Sequence, residues 1–181
     1  AGGPHAVAGY GTGARLEYLL IPLVFGLGAP MVALVGTNIG AGQHARALRI
    51  ALTGGAIAFA LTEAIGLAVA IWPYAWLGLF GDDPRMLATG EAYLRIVGPA
   101  YGFFGLGLAL YFASQGAGQL LWPLIASAVR LLIGIGGGWM VLRFTGSLDG
   151  LFAALTAALI VYGVLVAGAI ARGVWFQPLF A

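Results

Sequence analysis

The chain has 181 residues, of which 61% are hydrophobic and 8% charged, and its mean hydropathy is +1.00. Soluble domains are roughly half apolar and a quarter charged, so this composition excludes an ordinary water-soluble domain. The net charge of +2 comes from scattered arginines, which excludes the basic patch of a nucleic-acid-binding protein. Cysteine is absent, which excludes disulfides and cysteine-ligated metal sites.

Five long apolar runs follow one another along the chain. Each is close to the roughly 20 residues that a helix needs to cross the bilayer, and helices satisfy their own backbone groups in lipid. The sequence therefore predicts an all-α polytopic membrane helix bundle with the lipid bilayer around it. The five predicted spans are about 16–41, 50–80, 96–114, 120–142 and 150–171.

Short turns rich in glycine or polar residues separate these runs, so neighbouring helices are expected to be antiparallel. Asp83 directly before Pro84 predicts a helix start, since Asp is a good N-cap and Pro suits the first helical position. Glu91 and Arg95 are then placed to form an i,i+4 ion pair.

Arginines near the ends of the spans predict the orientation of the chain in the membrane. Arg46 and Arg49 follow the first span and Arg172 follows the last. Basic residues flanking spans favour the cytoplasm, so these three are expected inside and the N-terminus outside.

Glycine and alanine recur every three or four residues in two of the spans. The cluster in "LVGTNIGAGQ", residues 34–43, has neither the spacing nor the lysine of a phosphate-binding loop. Small-residue stripes instead allow helix backbones to approach closely in lipid, so we interpret both stripes as packing surfaces. The stripes are Gly26, Ala29, Ala33, Gly36 and Gly40 in the first span, and Gly98, Gly102, Gly105, Ala109, Ala113 and Gly116 in the third.

Two charged residues lie well inside predicted spans. Glu63 and Arg130 would each cost roughly 2.5–3.5 kcal/mol near a helix centre, so neither is expected to face lipid. Their depths allow them to pair. Glu63 either takes up and releases a proton or cation during transport, or it has a structural role as part of a fixed ion pair or as a carboxyl kept protonated by burial. The structural role is favoured because a single acid has no motif around it. Glu17 is expected at the outer end of the first helix, at the interface or in an external vestibule.

Aromatic residues in the spans either present faces to an organic cation or pack between helices. They are Tyr18, Tyr101, Tyr111, Tyr162, Phe103, Phe104 and Phe112. His5 and His44 have no partner at metal-ligand spacing, and no Ser/His/Asp set falls on a common face. The sequence therefore predicts no catalytic site, and the protein is not expected to be an enzyme.

Several stretches together resemble the multidrug and toxic compound extrusion (MATE) family. They occur in the family's order and spacing and cover most of residues 10–143, which makes the combination specific. They are "YGTGARLEYL" (10–19), "LVGTNIGAGQHARA" (34–47), "LFGDDPRM" (79–86), "YLRIVGPAYGFFGLG" (93–107) and "YFASQGAG" (111–118).

The resemblance implies that residues 1–181 are a partial C-terminal bundle of a twelve-helix exporter, lacking the first helix of that half. Its partner would be the N-terminal lobe of the same transporter. Family members expel cationic drugs and metabolites across the cell's inner (plasma) membrane by alternating access, in exchange for Na⁺ or H⁺ and with no other cofactor. A flippase for lipid-linked oligosaccharides and a non-transport membrane subunit are the alternatives.

The candidate ion-coupling residues are Glu63, Arg130 and Glu17, and the candidate substrate-path residues are Tyr101, Phe104 and Gln115. In one respect the sequence departs from the family. Some sodium-coupled relatives carry an acid at about the position of Phe104, whereas residues 96–114 contain no carboxylate. No cation site is therefore carried over to this chain.

Overall fold

Residues 3–176 are described in a computed structural model of the chain. Within this range the regular structure is entirely helical, and five helices are long and apolar enough to cross a membrane. The predicted all-α bundle is confirmed. The five spans are Pro4–Gly40, His44–Ile71, Pro84–Gly116, Leu121–Thr145 and Leu148–Ala171.

Two of the spans are interrupted, and short elements connect or follow others. The third span consists of α4 and α5 joined by a 3₁₀ turn, and the fourth of α6 and α7 joined by a π-helix. The elements in chain order are α1 Pro4–Gly40, α2 His44–Ile71, α3 Pro73–Leu77, α4 Pro84–Val97, the 3₁₀ turn Gly98–Ala100, α5 Tyr101–Gly116, α6 Leu121–Leu131, the π-helix Leu132–Gly137, α7 Gly138–Thr145, α8 Leu148–Ala171 and a 3₁₀ turn Val174–Phe176.

Helix α1 begins at Pro4, about three turns before the predicted start of the first span. Pro4 stands at the first helical position, where its missing N–H costs nothing. The added turns are held by packing against α4, because a Cβ at Gly9 would strike the Met86 carbonyl and one at Gly13 would strike the Tyr93 ring. Tertiary contact thus extends the helix beyond the apolar run that marks it in the sequence.

Helix α2 ends at Ile71, well before the predicted residue 80, because Pro73 cannot donate the hydrogen bond that would continue it. The chain then forms the short helix α3, whose Leu77 is fully buried. Trp76 of α3 donates from Nε1 to the Thr12 carbonyl at 2.9 Å. This segment therefore folds back onto α1 instead of lengthening the second span.

The third span is the centre of the bundle. Of its most apolar stretch 61% is buried, against 17–33% for the other four spans. Its two halves contact α1, α2 and α8. The N-cap prediction is confirmed, since Asp83 Oδ1 accepts from the N–H groups of Arg85 and Met86 at 2.9 and 3.0 Å. The Glu91–Arg95 pair is also confirmed, at 2.9 Å.

The small-residue stripe of the third span packs as predicted. A Cβ at Gly98 would press on the Gly66 carbonyl, one at Gly105 on Thr62, and one at Gly116 on the Val32 carbonyl. These contacts bring the backbones of neighbouring helices together.

The stripe predicted for the first span is wrong for most of its length. Gly26 and Gly40 have open space around them, and only Gly36 makes a close contact, with the Gly116 carbonyl. The buried face of α1 in this region is offset and consists of Val24, Gly28, Met31, Val35 and Asn38. Glycine periodicity alone did not show which face of α1 meets the bundle.

Candidate functional site

An ion pair lies inside the bundle between the first and fourth spans. Arg130 Nη2 donates to Glu17 Oε1 at 2.6 Å, and the two side chains are 31% and 21% exposed. The pairing neutralises both charges. Either charge would carry a large free-energy cost in lipid without a partner. This pair is the nucleus of the candidate site.

Aromatic rings hold the guanidinium of Arg130 from two sides. Its carbon lies 5.1 Å from the centre of the Phe104 ring on α5 and 5.5 Å from that of Tyr162 on α8. A guanidinium over an aromatic face is attracted by the negative face of the ring. The helices α5, α6 and α8 therefore fix the position of this one cation together.

A second group of rings lies on the carboxylate side of the pair. The Tyr93 hydroxyl is 3.5 Å from Glu17 Oε2, which is long for a hydrogen bond. Tyr93 meets Tyr10 and Phe152 edge-on, with ring centres 5.3 and 5.4 Å away. One oxygen of Glu17 is thus strongly bound by Arg130, whereas the other has only this loose contact.

The ion pair faces a cavity of about 690 Å³. Its wall comes from α1, α4, α5, α6, the π-helix and α8, and it is mainly apolar. In residues 3–176, Glu17 is the one acid and Arg130 the one base among the lining residues. The seven polar or aromatic lining residues are Tyr10, Glu17, Tyr18, Tyr93, Phe104, Ser127 and Arg130. The volume falls within the range of small-molecule sites, about 300–1,000 Å³.

Glu17 reaches this cavity because α1 starts early. From Pro4 it lies about 20 Å along the helix, at about 1.5 Å per residue. Glu17 therefore does not lie at the end of the first helix, since about three turns precede it. Of its two expected locations, the interface and a vestibule, the cavity corresponds to the vestibule.

The pair that Glu63 and Arg130 could have formed is absent from the described residues, because Arg130 pairs with Glu17. Glu63 Oε2 accepts from the N–H of Gly102 at 2.8 Å. Gly102 lies at the start of α5, directly after the 3₁₀ turn, where backbone N–H groups lack helical partners. Glu63 thus acts as a cap for a helix that begins inside a span, and depth along the chain did not distinguish it from Glu17.

Of the three candidate substrate-path residues, one lies at this site and two do not. Phe104 contacts Arg130, whereas Gln115 is exposed near the end of α5 and does not line the cavity. Tyr101 is fully buried and does not line the cavity, and its hydroxyl has no hydrogen-bond partner within residues 3–176. The structure therefore brings together Glu17, Arg130 and Phe104.

Sequence reasoning did not select Tyr93, Tyr10 or Ser127. Tyr93 and Tyr10 lie in two of the stretches that carry the family resemblance, but their contact with each other depends on the packing of α1 against α4. Ser127 precedes Arg130 by three residues, so helical spacing places both on one face. This spacing is the one feature of the sequence that could have identified Ser127 as a site residue.

Comparison with known proteins bears on the nature of this bundle. The profile of the MatE family matches residues 1–140. The chain belongs to the MatE family. With its five spans, this MatE chain is a multi-pass membrane protein.

Two curated MatE-type relatives are similar to the chain. One, named "FAD transporter", from Shewanella oneidensis, is 30% identical over 109 residues, which is 60% of this chain and 24% of the relative. The other, named "Probable multidrug resistance protein YpnP", from Bacillus subtilis, is 29% identical over 131 residues, 72% of this chain and 29% of the relative. The alignments thus cover less than a third of either relative's length.

Proposed function

We propose that the chain forms one lobe of a secondary transporter that exports organic solutes across the inner (plasma) membrane in exchange for Na⁺ or H⁺. The observation that carries this proposal is the mainly apolar cavity that contains the Glu17–Arg130 pair inside a membrane-spanning bundle. Membership of the MatE family, the transporter name of the Shewanella relative and the multidrug-resistance name of the Bacillus relative support it.

We propose further that residues 1–181 correspond to the C-terminal bundle of the whole transporter. The short coverage of both relatives supports a second lobe contributed by other residues. Two lobes that rock around a cavity near the membrane midplane provide alternating access. Transport then needs no catalysis by the chain, in keeping with a non-enzymatic role.

The names of the two relatives suggest two classes of transported solute. Drugs match the name of the Bacillus relative, and the cavity is mainly apolar with aromatic side chains in its wall, which suits an organic cation or another xenobiotic. A flavin nucleotide matches the name of the Shewanella relative. A lipid-linked oligosaccharide flippase would call for several cations in the cavity, and Arg130 is the one base that lines it in residues 3–176.

The test is efflux by the full-length protein carrying this chain, reconstituted in proteoliposomes. We expect a Na⁺ or H⁺ gradient to drive the movement of ethidium or of a flavin nucleotide. Glu63→Gln should leave the rate and its pH dependence unchanged, because an amide oxygen still accepts from Gly102. Glu17→Gln should change both, because it removes the partner of Arg130.

The proposal fails if folded protein moves none of these solutes under either gradient. A pH dependence lost in Glu63→Gln and kept in Glu17→Gln would assign ion coupling to Glu63 instead.

A further inference from the structure

A groove between α1 and α2 lies apart from the ion-pair cavity, and in residues 3–176 the two share no lining residue. Its volume is about 390 Å³, and its mainly apolar wall includes Leu27, Leu34 and Ile50. The groove is open beside Gly26, since a Cβ there would have no other atom within 4 Å. One charged side chain of the described residues, Arg49, contributes to the wall.

We propose that this groove binds an anionic phospholipid. The lipid phosphate lies against Arg49, its ester region lies beside Thr53, and one acyl chain follows the apolar wall toward Gly26. The inference concerns the contact between the protein and the bilayer. It goes beyond the proposed transport function and does not depend on which solute is moved.

The guanidinium of Arg49 is available to a phosphate. It carries five N–H donors, and in the described part of the chain Arg49 has no side-chain hydrogen bond, ion pair or aromatic ring contact. Its neighbour Arg46 donates instead to Gln43 Oε1, at 3.3 Å. Arginine binds phosphate oxygens in a bidentate arrangement, and its long stem lets the charge reach the headgroup region.

The hydroxyl of Thr53 is a second polar group in the groove. Thr53 lies one turn deeper than Arg49 on the same face of α2. Each of the other six threonines donates to the backbone carbonyl four residues earlier, whereas Thr53 has no hydrogen bond within residues 3–176. A hydroxyl exposed to hydrocarbon without a partner is costly, and the ester carbonyl of a phospholipid would accept from it.

The dimensions of the groove fit one leaflet of the bilayer. A Cβ at Gly54 would press on the Met31 side chain, so Arg49 lies toward the Leu34 end of the groove and Gly26 lies at the other end. From Gly26 to Leu34 the wall runs for about 12 Å, at about 1.5 Å per residue. Half of the hydrocarbon core is about 15 Å thick. A headgroup at Arg49 thus leaves most of a leaflet's depth for the acyl chain.

The charges near the groove are complementary to an anion. Arg46 and Arg49 are both exposed near the start of α2. The sequence has no acid between residues 18 and 62, so no carboxylate in this stretch of the hairpin offsets them. The same two arginines are expected on the cytoplasmic side, where anionic lipids attract basic residues next to a span.

The test is native mass spectrometry of the full-length protein in detergent, which counts bound lipids directly. The probes are phosphatidylglycerol, phosphatidylcholine with the same acyl chains, and glycerol 3-phosphate, which has a phosphate but no chains. We expect the first phosphatidylglycerol to bind about 5- to 10-fold more tightly than the first phosphatidylcholine, whose choline offsets the phosphate charge. Glycerol 3-phosphate should not displace either lipid at equal concentration, because the apolar wall binds the chains.

Arg49→Gln should abolish the preference for phosphatidylglycerol, and Thr53→Val should weaken the binding of both lipids about 2- to 5-fold. Gly26→Leu should also weaken both, because its side chain occupies the groove, and the open space there allows the protein to fold. The matched control is Arg172→Gln. It removes an exposed arginine from the same membrane face but away from the groove, and it should bind both lipids as the wild type does.

The inference is overturned if the two lipids bind equally, if glycerol 3-phosphate displaces them, or if Arg172→Gln lowers phosphatidylglycerol binding as much as Arg49→Gln. It is also overturned if another part of the full-length protein occupies the groove. In that case Gly26→Leu would lower the melting temperature of the lipid-free protein, and none of the variants would change lipid binding. Loss of efflux with selective lipid binding intact would reject the proposed transport function alone.

Discussion

At the level of single residues, the position of Arg130 depends on how its charge is neutralised. Glu17 supplies the opposite charge at 2.6 Å, and Phe104 and Tyr162 supply ring faces. The pair is not fully enclosed, so water reduces both the cost of desolvation and the strength of the attraction. Glu63 shows the alternative solution, in which a carboxylate caps a free backbone N–H.

Removing either member of the pair should destabilise the bundle. We expect Arg130→Met and Glu17→Gln each to lower the free energy of unfolding by about 2 kcal/mol, less than the 3–5 kcal/mol of a fully buried pair because both side chains are partly exposed. The double variant should lose less than the sum of the two. Thermal unfolding in detergent gives all four values. Additive losses would mean that the two side chains do not interact.

At the level of the helices, close approach depends on glycines whose neighbours are backbone atoms. At Gly66 of α2 a Cβ would collide with the Gly98 carbonyl, and at Gly98 it would press on the Gly66 carbonyl. Neither carbonyl can rotate away as a side chain would. At these two positions the backbones of α2 and the third span are in direct contact.

Gly66→Ala should destabilise the protein by about 1–3 kcal/mol, because the two backbones must separate to admit the methyl group. The matched control is Gly26→Ala, since Gly26 is also helical but has open space around it. Alanine there should be neutral or stabilise the helix by up to about 1 kcal/mol. Melting temperatures of the two variants test the contrast, and equal losses would contradict it.

Helix α4 depends on the ionised form of its N-cap. Hydrogen bonds donated by the N–H groups of Met86 and then Arg85, with His5 and Arg85 nearby, hold the pKa of Asp83 below its ordinary value, against a smaller opposing effect of burial. Because the folded state favours the carboxylate, the stabilisation is complete above the unfolded pKa of about 3.9 and is lost as the pH falls through the folded pKa.

Asp83→Asn should therefore make the stability of the protein fall less steeply as the pH is lowered. Asparagine still accepts the two backbone hydrogen bonds but does not titrate. Melting temperatures between pH 6 and 3 should fall less steeply in the variant than in the wild type. An unchanged slope would show that Asp83 contributes nothing to the pH dependence.

At the level of the whole molecule, the interrupted third span lies among the other helices and contacts α1, α2 and α8. Its break at Gly98–Ala100 contains Pro99, and Glu63 caps the helix that follows. The fourth span is mostly exposed and contains the glycine-rich π-helix, which begins two residues after Arg130. The site is thus built where a buried span and an exposed one meet.

The orientation of the bundle is open to a direct test, because the chain has no cysteine. Five spans place successive turns on alternate faces of the membrane. We expect Gln43→Cys, beside Arg46 and Arg49, to be protected from an impermeant maleimide in intact cells. Asp82→Cys, in the next turn but on the other face, should be labelled. The reverse pattern would invert the orientation.

Part of this architecture is predictable from the sequence. The five spans, the cap at Asp83, the Glu91–Arg95 pair and the packing stripe of the third span all depend on residues close together in the chain, and all are confirmed. The start of α1, the end of α2 and the packing face of α1 were wrong, because contacts with α4 and the donor lost at Pro73 determine them.

The sequence by itself determined the class of the protein, since hydropathy and helical spacing act locally and leave no alternative to membrane-spanning helices. Only the tertiary structure decided that Arg130 pairs with Glu17, 113 residues away in the chain, and that Glu63 binds a backbone N–H instead. The physical reason is that charge neutralisation in a bundle depends on which helices are neighbours and how each is rotated. Neither is set by the depth of a residue along its own span.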